Sequence, residues 1–478
     1  SAASDVYKRQ EYDGLMIRSG TQVTAAVIAA ASRLKIIGRA GVGVDNVDVP
    51  AATQRGVLVV NSPEGNTIAA AEHALAMMLT LSRHIPQAHG GMRAGKWDRK
   101  KYVGNELYKK TLGVVGLGKI GSHVARVAQA MGMEVIAYDP FIAADRAQRM
   151  QVKLLELDEL FRTADYVTLH IPRTKDTENL VNAELLRTMK PTARIVNCAR
   201  GGVVDEAAVA EAINNGVIAG AGLDVYASEP LAEDSPLRAV ERGLVLTPHL
   251  GASTEEAQEN VAIDVAEQIR DVLLGLPARS AVNIPGLSAE IMERLKPHLQ
   301  LAETVGLLVS QLAGGHVKEM ELRLQGEFAS HPSQPLVIAA LKGLLSAGLG
   351  DSINFVNASL EAKARGIQVL EVKDESSRDF AGGSLQITTR GDQGSRSVTG
   401  AVFADGDLRI TSIDAFPVNV TPSSHMLFTR HRDMPGIIGH LGSLLGEHNV
   451  NIASMQVGRK IVRGDAVMVL SIDDPIPA

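Results

Sequence analysis

The segment Gly113-Val-Val-Gly-Leu-Gly-Lys-Ile-Gly121 decides how the nucleotide-binding part of this 478-residue chain folds. An apolar run, Thr111–Val115, leads into it and predicts a buried parallel strand. Residues 120–131 follow with a helical pattern, which points a helix N-terminus at phosphate groups. Three glycines supply the tight turn, the close approach of a pyrophosphate and the packing of helix on strand: Gly116, Gly118 and Gly121. This order of elements predicts a dinucleotide-binding unit.

A carboxylate follows the second strand of that unit. The apolar run Glu134–Tyr138 ends in Asp139, at the offset of about 20 residues where an acidic side chain accepts both ribose hydroxyls. The same charge repels a 2′-phosphate. The sequence therefore predicts NAD rather than NADP as the cofactor.

Composition and charge exclude several classes of protein. The 45% hydrophobic and 21% charged residues are ordinary for a globular protein, and at about 100–200 residues per domain the length predicts three or four domains. A net charge of −6 gives no general attraction to nucleic acid or to an anionic membrane. The longest apolar stretch, residues 74–81, is far shorter than the ~20 residues of a membrane span. The single cysteine, Cys198, excludes an internal disulfide and favours a cytoplasmic location.

The pattern of strands and helices predicts two domains in the first 283 residues. Residues 11–66 show the alternation of a parallel α/β layer, and a helix over residues 254–274 leads back to it, so residues 11–66 and 254–283 are predicted to form a discontinuous substrate-binding domain. Residues 67–253 are predicted to form a doubly wound NAD-binding domain. Its six predicted strands lie near Thr111, Glu134, Tyr166, Arg194, Ile218 and Leu244. A linker is predicted over residues 275–286.

Two further domains are predicted in the C-terminal part. Residues 284–422 show helices followed by alternating strands, which indicates an α+β domain with no chemical motif. Residues 424–478 have the order β-α-β-β, the beginning of a ferredoxin-like module. We expect this module to lack a final helix and strand, and the first domain to lack its first strand and helix before Glu11. Residues 1–10 show no apolar periodicity and are left out of the fold prediction.

Three polar side chains follow predicted strands of the nucleotide domain. Hydride transfer between an alcohol and a nicotinamide needs a proton carrier at the oxygen and a cation that holds an α-keto acid. Arg200, Glu229 and His249 each lie beyond the carboxyl end of a strand, where open α/β sheets bind ligands. Taken singly, an Arg or a Glu is usually a solvated surface residue, and a lone His is more often structural than catalytic.

Together, these three residues resemble the catalytic Arg, Glu and His of the D-2-hydroxyacid dehydrogenase family, which occur in the same order along the chain. The matching motifs are Asn197-Cys-Ala-Arg-Gly-Gly202, Asp224-Val-Tyr-Ala-Ser-Glu-Pro230 and Thr247-Pro-His-Leu-Gly-Ala-Ser-Thr254. The resemblance implies a flavodoxin-like substrate domain, His249 as general acid and base, Glu229 as its partner, and Arg200 as the group that grips the substrate carboxylate and carbonyl. It also implies the residues that bind NAD: Gly116, Gly118, Lys119, Ile120, Gly121, Asp139, His170, Pro172, Cys198, Arg200, Asp224 and His249.

Further matches narrow the resemblance to the long branch of that family, which has an intervening domain and a C-terminal ACT domain. The matching pieces are Arg18-Ser19, Arg39-Ala-Gly-Val-Gly-Val-Asp-Asn-Val-Asp48 and Ala70-Ala-Glu-His-Ala74. The resemblance implies oxidation of 3-phosphoglycerate to 3-phosphohydroxypyruvate with NAD, the first step of serine synthesis, by a homotetramer. Substrate contacts are implied at Arg18, Ser19, Arg39, Gly41 and Val42. A plain glycine turn is the other explanation of residues 39–48.

A phosphate-bearing acid has two anionic ends and needs a second basic site beside Arg200. Trp97, the only tryptophan, is surrounded by basic residues that bind a phosphate as point charges while the indole excludes water. The basic residues are Arg93, Lys96, Arg99 and Lys100. We therefore expect substrate contacts at Lys96, Trp97 and Arg99. A solvated basic loop anchored by the tryptophan is the alternative.

The last segment resembles an ACT domain, a module that often binds amino acids between paired copies. Asp433 and Asn451 match its polar ligand positions, which implies L-serine as a feedback effector. An Asp in a turn and an Asn before a strand are also ordinary turn residues.

Two other functions fit parts of the pattern. A reductase of glyoxylate, hydroxypyruvate or another 2-keto acid has the same catalytic groups, but it does not explain the long C-terminal half. A binding protein that senses NAD without catalysis uses the same scaffold. Neither nucleic acid nor a membrane is expected as a partner.

Overall fold

The computed structural model describes residues 11–284, 289–375, 383–403 and 406–476. It contains two compact units. Of the described residues, those in 11–39, 44–61 and 267–476 belong to the first unit, and residues 40–43 and 62–266 to the second. Within the described parts of the chain, every helix is too short or too polar to cross a lipid bilayer.

The first unit begins with a small parallel sheet. Its strands pair in the order β1-β2-β3, and Ile17, Ile37 and Val59 are buried in its core together with Ile28 of a covering helix. Apolar runs of four residues suit such short buried strands. The elements are β1 (Gly14–Ile17), α1 (Ala25–Ala30), β2 (Ile36–Arg39), α2 (Val49–Gln54) and β3 (Leu58–Asn61).

The predicted linker over residues 275–286 is wrong for its middle part. Residues 280–283 run antiparallel along β3, where Val282 N donates to Val59 O at 2.8 Å and Val59 N donates to Asn283 Oδ1 at 2.9 Å. This pairing satisfies backbone groups that the edge of β3 would otherwise leave open. Residues 285–288 lie outside the described part.

The second unit is built on a seven-stranded parallel sheet in the order β10-β9-β8-β7-β4-β5-β6. Its strands are β4 (Thr111–Val115), β5 (Glu134–Tyr138), β6 (Lys153–Leu154), β7 (Tyr166–Leu169), β8 (Arg194–Asn197), β9 (Gly220–Leu223) and β10 (Leu244–Leu246). The prediction of six strands missed β6, because a strand of two residues has no readable periodicity. The strand order reverses between β4 and β7, and this is where doubly wound sheets bind dinucleotides.

Helices cover both faces of this sheet. They are α3 (Thr67–Arg83), α5 (Lys119–Ala130), α6 (Ala144–Arg149), α7 (Leu157–Thr163), α8 (Ala183–Arg187) and α9 (Glu206–Asn214). Helix α4 (Ile85–Arg93) follows α3 and buries none of its residues, and α10 (Glu255–Leu273) begins in this unit and ends in the first. Helix α3 lies close to β9, because a Cβ at Gly222 would stand only 3.1 Å from Leu81 Cδ1 and 3.4 Å from Met77 Cε. The small residues of β9 therefore bring polar groups on α3 near the end of that strand.

The intervening part of the first unit is a six-stranded sheet covered by two long helices. The order is β12-β11-β13-β14-β15-β16, antiparallel except for the pair β11 and β12. The helices are α11 (Ala289–Ala313), α12 (Glu327–Ser330), α13 (Ser333–Leu349) and α14 (Ala358–Ala364). The strands are β11 (Val317–Gln325), β12 (Gln368–Asp374), β13 (Ser384–Gly391), β14 (Gly394–Val402), β15 (Leu408–Ile413) and β16 (Phe416–Val420).

The last segment has the predicted order β-α-β-β. Its elements are β17 (Met426–Arg432), α15 (Ile437–Glu447), β18 (Ile452–Arg459) and β19 (Asp465–Ile472), with antiparallel order β17-β19-β18. Strand β19 is buried on both faces. Met468 and Leu470 pack in the core under α15, whereas Val467 and Val469 belong to the core of the intervening part.

Candidate active site

A histidine and a glutamate meet beyond the carboxyl ends of β9 and β10. His249 Nδ1 lies 2.8 Å from Glu229 Oε2, and the backbone N–H of Tyr226 donates to Glu229 Oε1 at 3.1 Å. Because a carboxylate only accepts hydrogen bonds, Nδ1 carries the proton and Nε2 is left to exchange one with a substrate. The His249 side chain is 51% exposed, so Nε2 can reach a ligand.

The backbone of His249 is held in an unusual conformation. Its φ is +56°, in the left-handed region, and its N–H donates to Asp224 O at 2.8 Å. A non-glycine residue stays in that region only where its surroundings enforce it, and such residues are frequent at functional sites. The loop therefore fixes the direction of the imidazole.

Asp224 is the fully buried centre of this loop. Its Oδ1 accepts from Thr247 Oγ1 at 2.6 Å and from Leu250 N at 2.7 Å, and its Oδ2 accepts from Gly251 N at 2.8 Å. Burial acts to raise the pKa of Asp224, but hydrogen bonds from His73, Thr247 and Leu250 outweigh it and hold the pKa below its usual value. The carboxylate thus stays charged and keeps the loop closed.

His73 on α3 completes this network and was not among the predicted site residues. Its Nε2 lies 3.2 Å from Asp224 Oδ1 and 3.2 Å from Thr247 Oγ1. The sequence signal was the piece Ala70-Ala-Glu-His-Ala74 that shares in the family resemblance, but nothing in the sequence shows that this helix crosses the end of β9.

The ligand atoms of His73, Cys198 and Asp224 lie within 4.8 Å of one another, a spacing that a metal ion could bridge. The carboxylate oxygens are already occupied by four donors, including His73. Burial, followed by the charge of Asp224, raises the pKa of the Cys198 thiol, which keeps it protonated. His73 and Asp224 are therefore engaged in a hydrogen-bonded network, and the protonated thiol of Cys198 is a poor metal ligand.

Arg200 lies in the turn that follows β8. The buried Asn197 organises this turn: its Nδ2 donates to Arg200 O at 3.0 Å and its Oδ1 accepts from Ala199 N at 3.0 Å. The next residue, Gly201, touches the loop after β9, since a Cβ there would lie 1.7 Å from Tyr226 O. The loops that carry Arg200 and Glu229 are therefore in direct contact.

The glycine-rich turn after β4 has the shape that a pyrophosphate needs. Gly116 has φ +94°, and a Cβ at Gly118 would meet nothing within 4 Å. Helix α5 begins at the next residue without a side-chain cap, so amides of its first turn are open to an anion. Lys119 forms an ion pair with Glu64 at this helix end, beside Ile120. These features fit the diphosphate of NAD.

Asp139 joins two turns at the end of β5. Its Oδ2 accepts from Leu117 N at 2.8 Å, and its Oδ1 accepts from Phe141 N at 2.9 Å and from Ile142 N at 3.1 Å. The carboxylate thus lies beside the glycine turn, as ribose recognition requires.

Two more predicted cofactor residues follow β7. Thr168 Oγ1 lies 3.0 Å from His170 Nε2, and burial lowers the pKa of His170 to about 4, so its ring is neutral. The backbone of His170 touches the glycine turn, because a Cβ at Gly116 would lie 2.6 Å from His170 O. Pro172 lies in the same loop, and its backbone carbonyl accepts a hydrogen bond from Thr177 Oγ1 at 2.7 Å.

Gly118 and Gly121, the second and third glycines of this motif, give a matched pair of substitutions. We expect Gly118→Ala to leave the melting temperature within about 2 °C and to weaken NADH binding at least about tenfold, because the new methyl group has space in the free protein but occupies the path of the pyrophosphate. Gly121→Ala should lower the melting temperature, since its Cβ would lie 1.9 Å from Gly116 O. Thermal unfolding and NADH fluorescence titration measure both effects, and equal melting temperatures of the two variants would contradict this assignment.

The residues predicted to contact the substrate are divided between the two units. Arg18, Ser19 and Arg39 lie in the first unit, where Arg18 O accepts from Asn46 Nδ2 at 3.0 Å. Gly41 and Val42 lie in the second unit, where Gly41 O accepts from Ser62 N at 2.9 Å. Their role in substrate binding stays a prediction.

The basic cluster around Trp97 lies between α4 and β4 in the second unit. The side chains of Arg93, Lys96, Arg99 and Lys100 are exposed, and Trp97 is 74% exposed. Because the indole of Trp97 is itself mostly exposed to solvent, it does not shield a phosphate from water as the sequence predicted.

The two predicted effector residues already have partners in the described structure. Asp433 Oδ2 accepts from Arg459 Nη1 at 2.7 Å and from Arg463 N at 3.2 Å, and the Arg459 hydrogen bond is the main cause of its lowered pKa. Asn451 Nδ2 donates to Asp473 Oδ2 at 2.6 Å. A ligand at this position would have to join or replace these contacts.

Three family models match successive parts of the chain. The NAD binding domain of the D-isomer specific 2-hydroxyacid dehydrogenases matches residues 75–251. The D-3-phosphoglycerate dehydrogenase intervening domain matches residues 294–414, and the ACT domain matches residues 425–478.

Similar proteins cover nearly the whole chain. The D-3-phosphoglycerate dehydrogenase of Synechocystis sp. is 64% identical over 98% of this chain and 84% of its own length. The protein of the same name from Methanocaldococcus jannaschii is 45% identical over 98% of this chain and 89% of its own. Among solved structures, the apo D-lactate dehydrogenase of Escherichia coli, 29% identical, has a TM-score of 0.54 and covers 59% of this chain and 89% of that chain. D-Lactate dehydrogenase of Aquifex aeolicus, complexed with NAD and lactic acid, is 29% identical with a TM-score of 0.51 over 56% of this chain and 85% of that chain.

Proposed function

The chain belongs to the D-3-phosphoglycerate dehydrogenase family, and from that premise we propose that it oxidises 3-phospho-D-glycerate to 3-phosphohydroxypyruvate with NAD. This reaction is the first step of L-serine biosynthesis. The contact of 2.8 Å between Glu229 and His249, at the carboxyl edge of a nucleotide-binding sheet, is the observation that carries the chemistry.

NAD, when bound, supplies the acceptor for the hydride that leaves C2 of the substrate. The open amides at the start of α5 are suited to hold the diphosphate, and Asp139 is suited to accept the ribose hydroxyls. We assign the nicotinamide end to the edge where Cys198, Asp224 and His249 lie.

The chain's own residues handle the proton and the charge. His249 Nε2 takes the proton of the C2 hydroxyl as the carbonyl forms, and Glu229 stabilises the imidazolium through Nδ1. Arg200 binds the carboxylate and carbonyl oxygens of the substrate through its planar guanidinium. In the reverse direction His249 returns the proton to the carbonyl oxygen.

A spectrophotometric assay tests this function. NADH oxidation is measured with phosphohydroxypyruvate, hydroxypyruvate and 2-oxoglutarate in parallel. We expect the highest kcat/KM with phosphohydroxypyruvate. A preference for an unphosphorylated acid would identify another 2-hydroxyacid dehydrogenase, and NADH binding without turnover would identify a sensing protein.

We also propose that the basic cluster around Trp97 binds the substrate phosphate. Replacing Lys96 and Arg99 by Ala together should raise KM for phosphohydroxypyruvate about tenfold or more, because two charge-assisted contacts are lost, and should leave KM for hydroxypyruvate unchanged. Steady-state kinetics with both substrates measures the difference. A matched double replacement of the exposed Arg162 and Arg187 changes the net charge equally and should alter neither KM. If both double variants behave alike, the cluster does not recognise phosphate.

We propose L-serine as the effector of the ACT domain and Asp433 as one of its contacts. Asp433→Ala should raise the serine concentration for half-maximal inhibition at least about tenfold, with activity normalised to the rate without serine. Arg459→Ala breaks the same ion pair and is the control. An equal loss of response in both variants would assign the effect to the ion pair rather than to a serine contact.

Following its relatives, we propose that the protein is a homotetramer located in the cytoplasm. Sedimentation velocity measures the assembly. A single species of monomer mass at micromolar concentration would contradict the tetramer.

A further inference from the structure

His73 is a partly buried polar group that has no part in the proton transfer by His249. Its side chain is only 19% exposed, and the carboxylate of Asp224 that it faces is 0% exposed. Helix α3 is the only element of this network outside the strand-end loops. The close packing of α3 on Gly222 brings the imidazole within 3.2 Å of the carboxylate.

The hydrogen bonds define the proton on His73. Thr247 Oγ1 has one hydrogen, and its contact of 2.6 Å with Asp224 Oδ1 shows where that hydrogen points. Nε2 of His73 then faces two acceptors, the carboxylate oxygen and the threonine oxygen, each at 3.2 Å. Nε2 therefore carries a hydrogen and donates to this pair.

The carboxylate connects this donor to the catalytic loop. Leu250 N and Gly251 N donate to Asp224 immediately after His249, and His249 N donates to Asp224 O. A rotation of the carboxylate would release the amides of Leu250 and Gly251, the two residues that follow His249. The position of the imidazole thus depends on what holds Asp224.

We propose that His73 is a positioning residue of the dehydrogenase reaction, which keeps the Asp224 carboxylate in the orientation that fixes the Thr247–Gly251 loop and His249. This inference rests on the proposed function, because it concerns the same site. His73 itself touches neither substrate nor cofactor in this scheme and acts through Asp224.

The groups around Asp224 make a pH profile informative. His73 faces it from α3, Cys198 from the end of β8, and Tyr226 and Thr247 from the loops after β9 and β10. The pKa of Cys198 is raised by burial and the pKa of Tyr226 is raised by burial to about 12, so both stay neutral in acid. Loss of the His73 donor should raise the pKa of Asp224, so protonation of this carboxylate would stop the reaction at a higher pH.

The test compares four variants of the full chain with phosphohydroxypyruvate and NADH. His73→Leu removes the donor, whereas the amide nitrogen of His73→Gln can reach the place of Nε2. His73→Asn keeps a polar group too short to do so. Met77→Leu, one turn further along α3, changes the other side chain near Thr247 while conserving volume. Folding is checked by thermal unfolding of each variant.

We expect kcat of His73→Leu to fall about 10- to 100-fold, the loss expected for one hydrogen bond to a charged group, with KM for phosphohydroxypyruvate within about threefold. The acid limb of its kcat profile should move to higher pH. His73→Gln should restore most of kcat and the acid limb, and Met77→Leu should resemble the parent. If His73→Leu does not fold, His73→Asn takes its place: its kcat should be lower than that of His73→Gln, because only the Gln amide can donate to Asp224.

Three results would overturn the proposal: a folded His73→Leu with kcat within twofold of the parent, an unmoved acid limb, or an equal loss in Met77→Leu. Failure of the proposed function is distinguishable, because the parent itself would then not turn over phosphohydroxypyruvate.

Discussion

Replacement of His249 by Gln is expected to lower kcat about 10²- to 10⁴-fold, the usual contribution of a general acid–base group. Glutamine can keep a hydrogen bond to Glu229, but it has no site that takes a proton at neutral pH. The half-exposed imidazole lies at the end of the sheet and is not part of the core, so folding and NADH affinity should stay near the parent values. Steady-state kinetics and NADH fluorescence titration measure the two quantities separately.

Glu229→Gln is the matched control for this prediction. It keeps the size of the side chain and the acceptor for Tyr226 N, but it removes the charge that faces His249 Nδ1 at 2.8 Å. We expect an intermediate loss of kcat, because the imidazolium forms without its counter-ion. Near-normal turnover by His249→Gln would show that another group carries the proton.

Replacement of Arg200 by Ala is expected to lower kcat/KM about 10²- to 10³-fold, comparable to the loss of a preorganised donor at a developing charge. The guanidinium is the proposed partner of both substrate oxygens. Asn197 holds the turn that carries it through two hydrogen bonds, and Arg200 Nη1 adds one to Ala199 O at 2.7 Å. The fold should therefore survive the truncation. Kinetics in both directions measures the loss.

A lysine at position 200 and free guanidinium separate the charge of Arg200 from its planar shape. Arg200→Lys keeps the charge but not the planar fork, so it should recover only part of kcat/KM. Free guanidinium at a concentration that does not denature the protein should rescue the alanine variant and not the lysine variant. Equal kcat/KM in parent and alanine variant would remove Arg200 from the substrate site.

The nucleotide-binding half of the fold could be predicted because its signals are local. The strands before Gly116 and Asp139 are apolar runs of five residues, and the structure gives them the predicted bounds, Thr111–Val115 and Glu134–Tyr138. The predicted order of elements in the last segment is also confirmed. In these places local periodicity and turn chemistry agree with the tertiary structure.

The features that the sequence did not reveal depend on contacts between distant segments. His73 looks like an ordinary helix residue until Gly222, about 150 positions later, lets the helix approach β9. Residues 280–283 resemble a linker because the edge of β3 that they cover is more than 200 positions away. Single-residue patterns contain no information about such partners.

Strand β19 contributes alternate side chains to two different cores, so removing the C-terminal module would not simply delete a regulator. A chain cut after residue 422 would expose the apolar surface that Val467 and Val469 cover, and it would tend to aggregate. The two modules should therefore melt together as one cooperative block. A displacement of β19 by strain in the small sheet should therefore also change the packing of the larger sheet, because Val467 and Val469 of the same strand lie in its core.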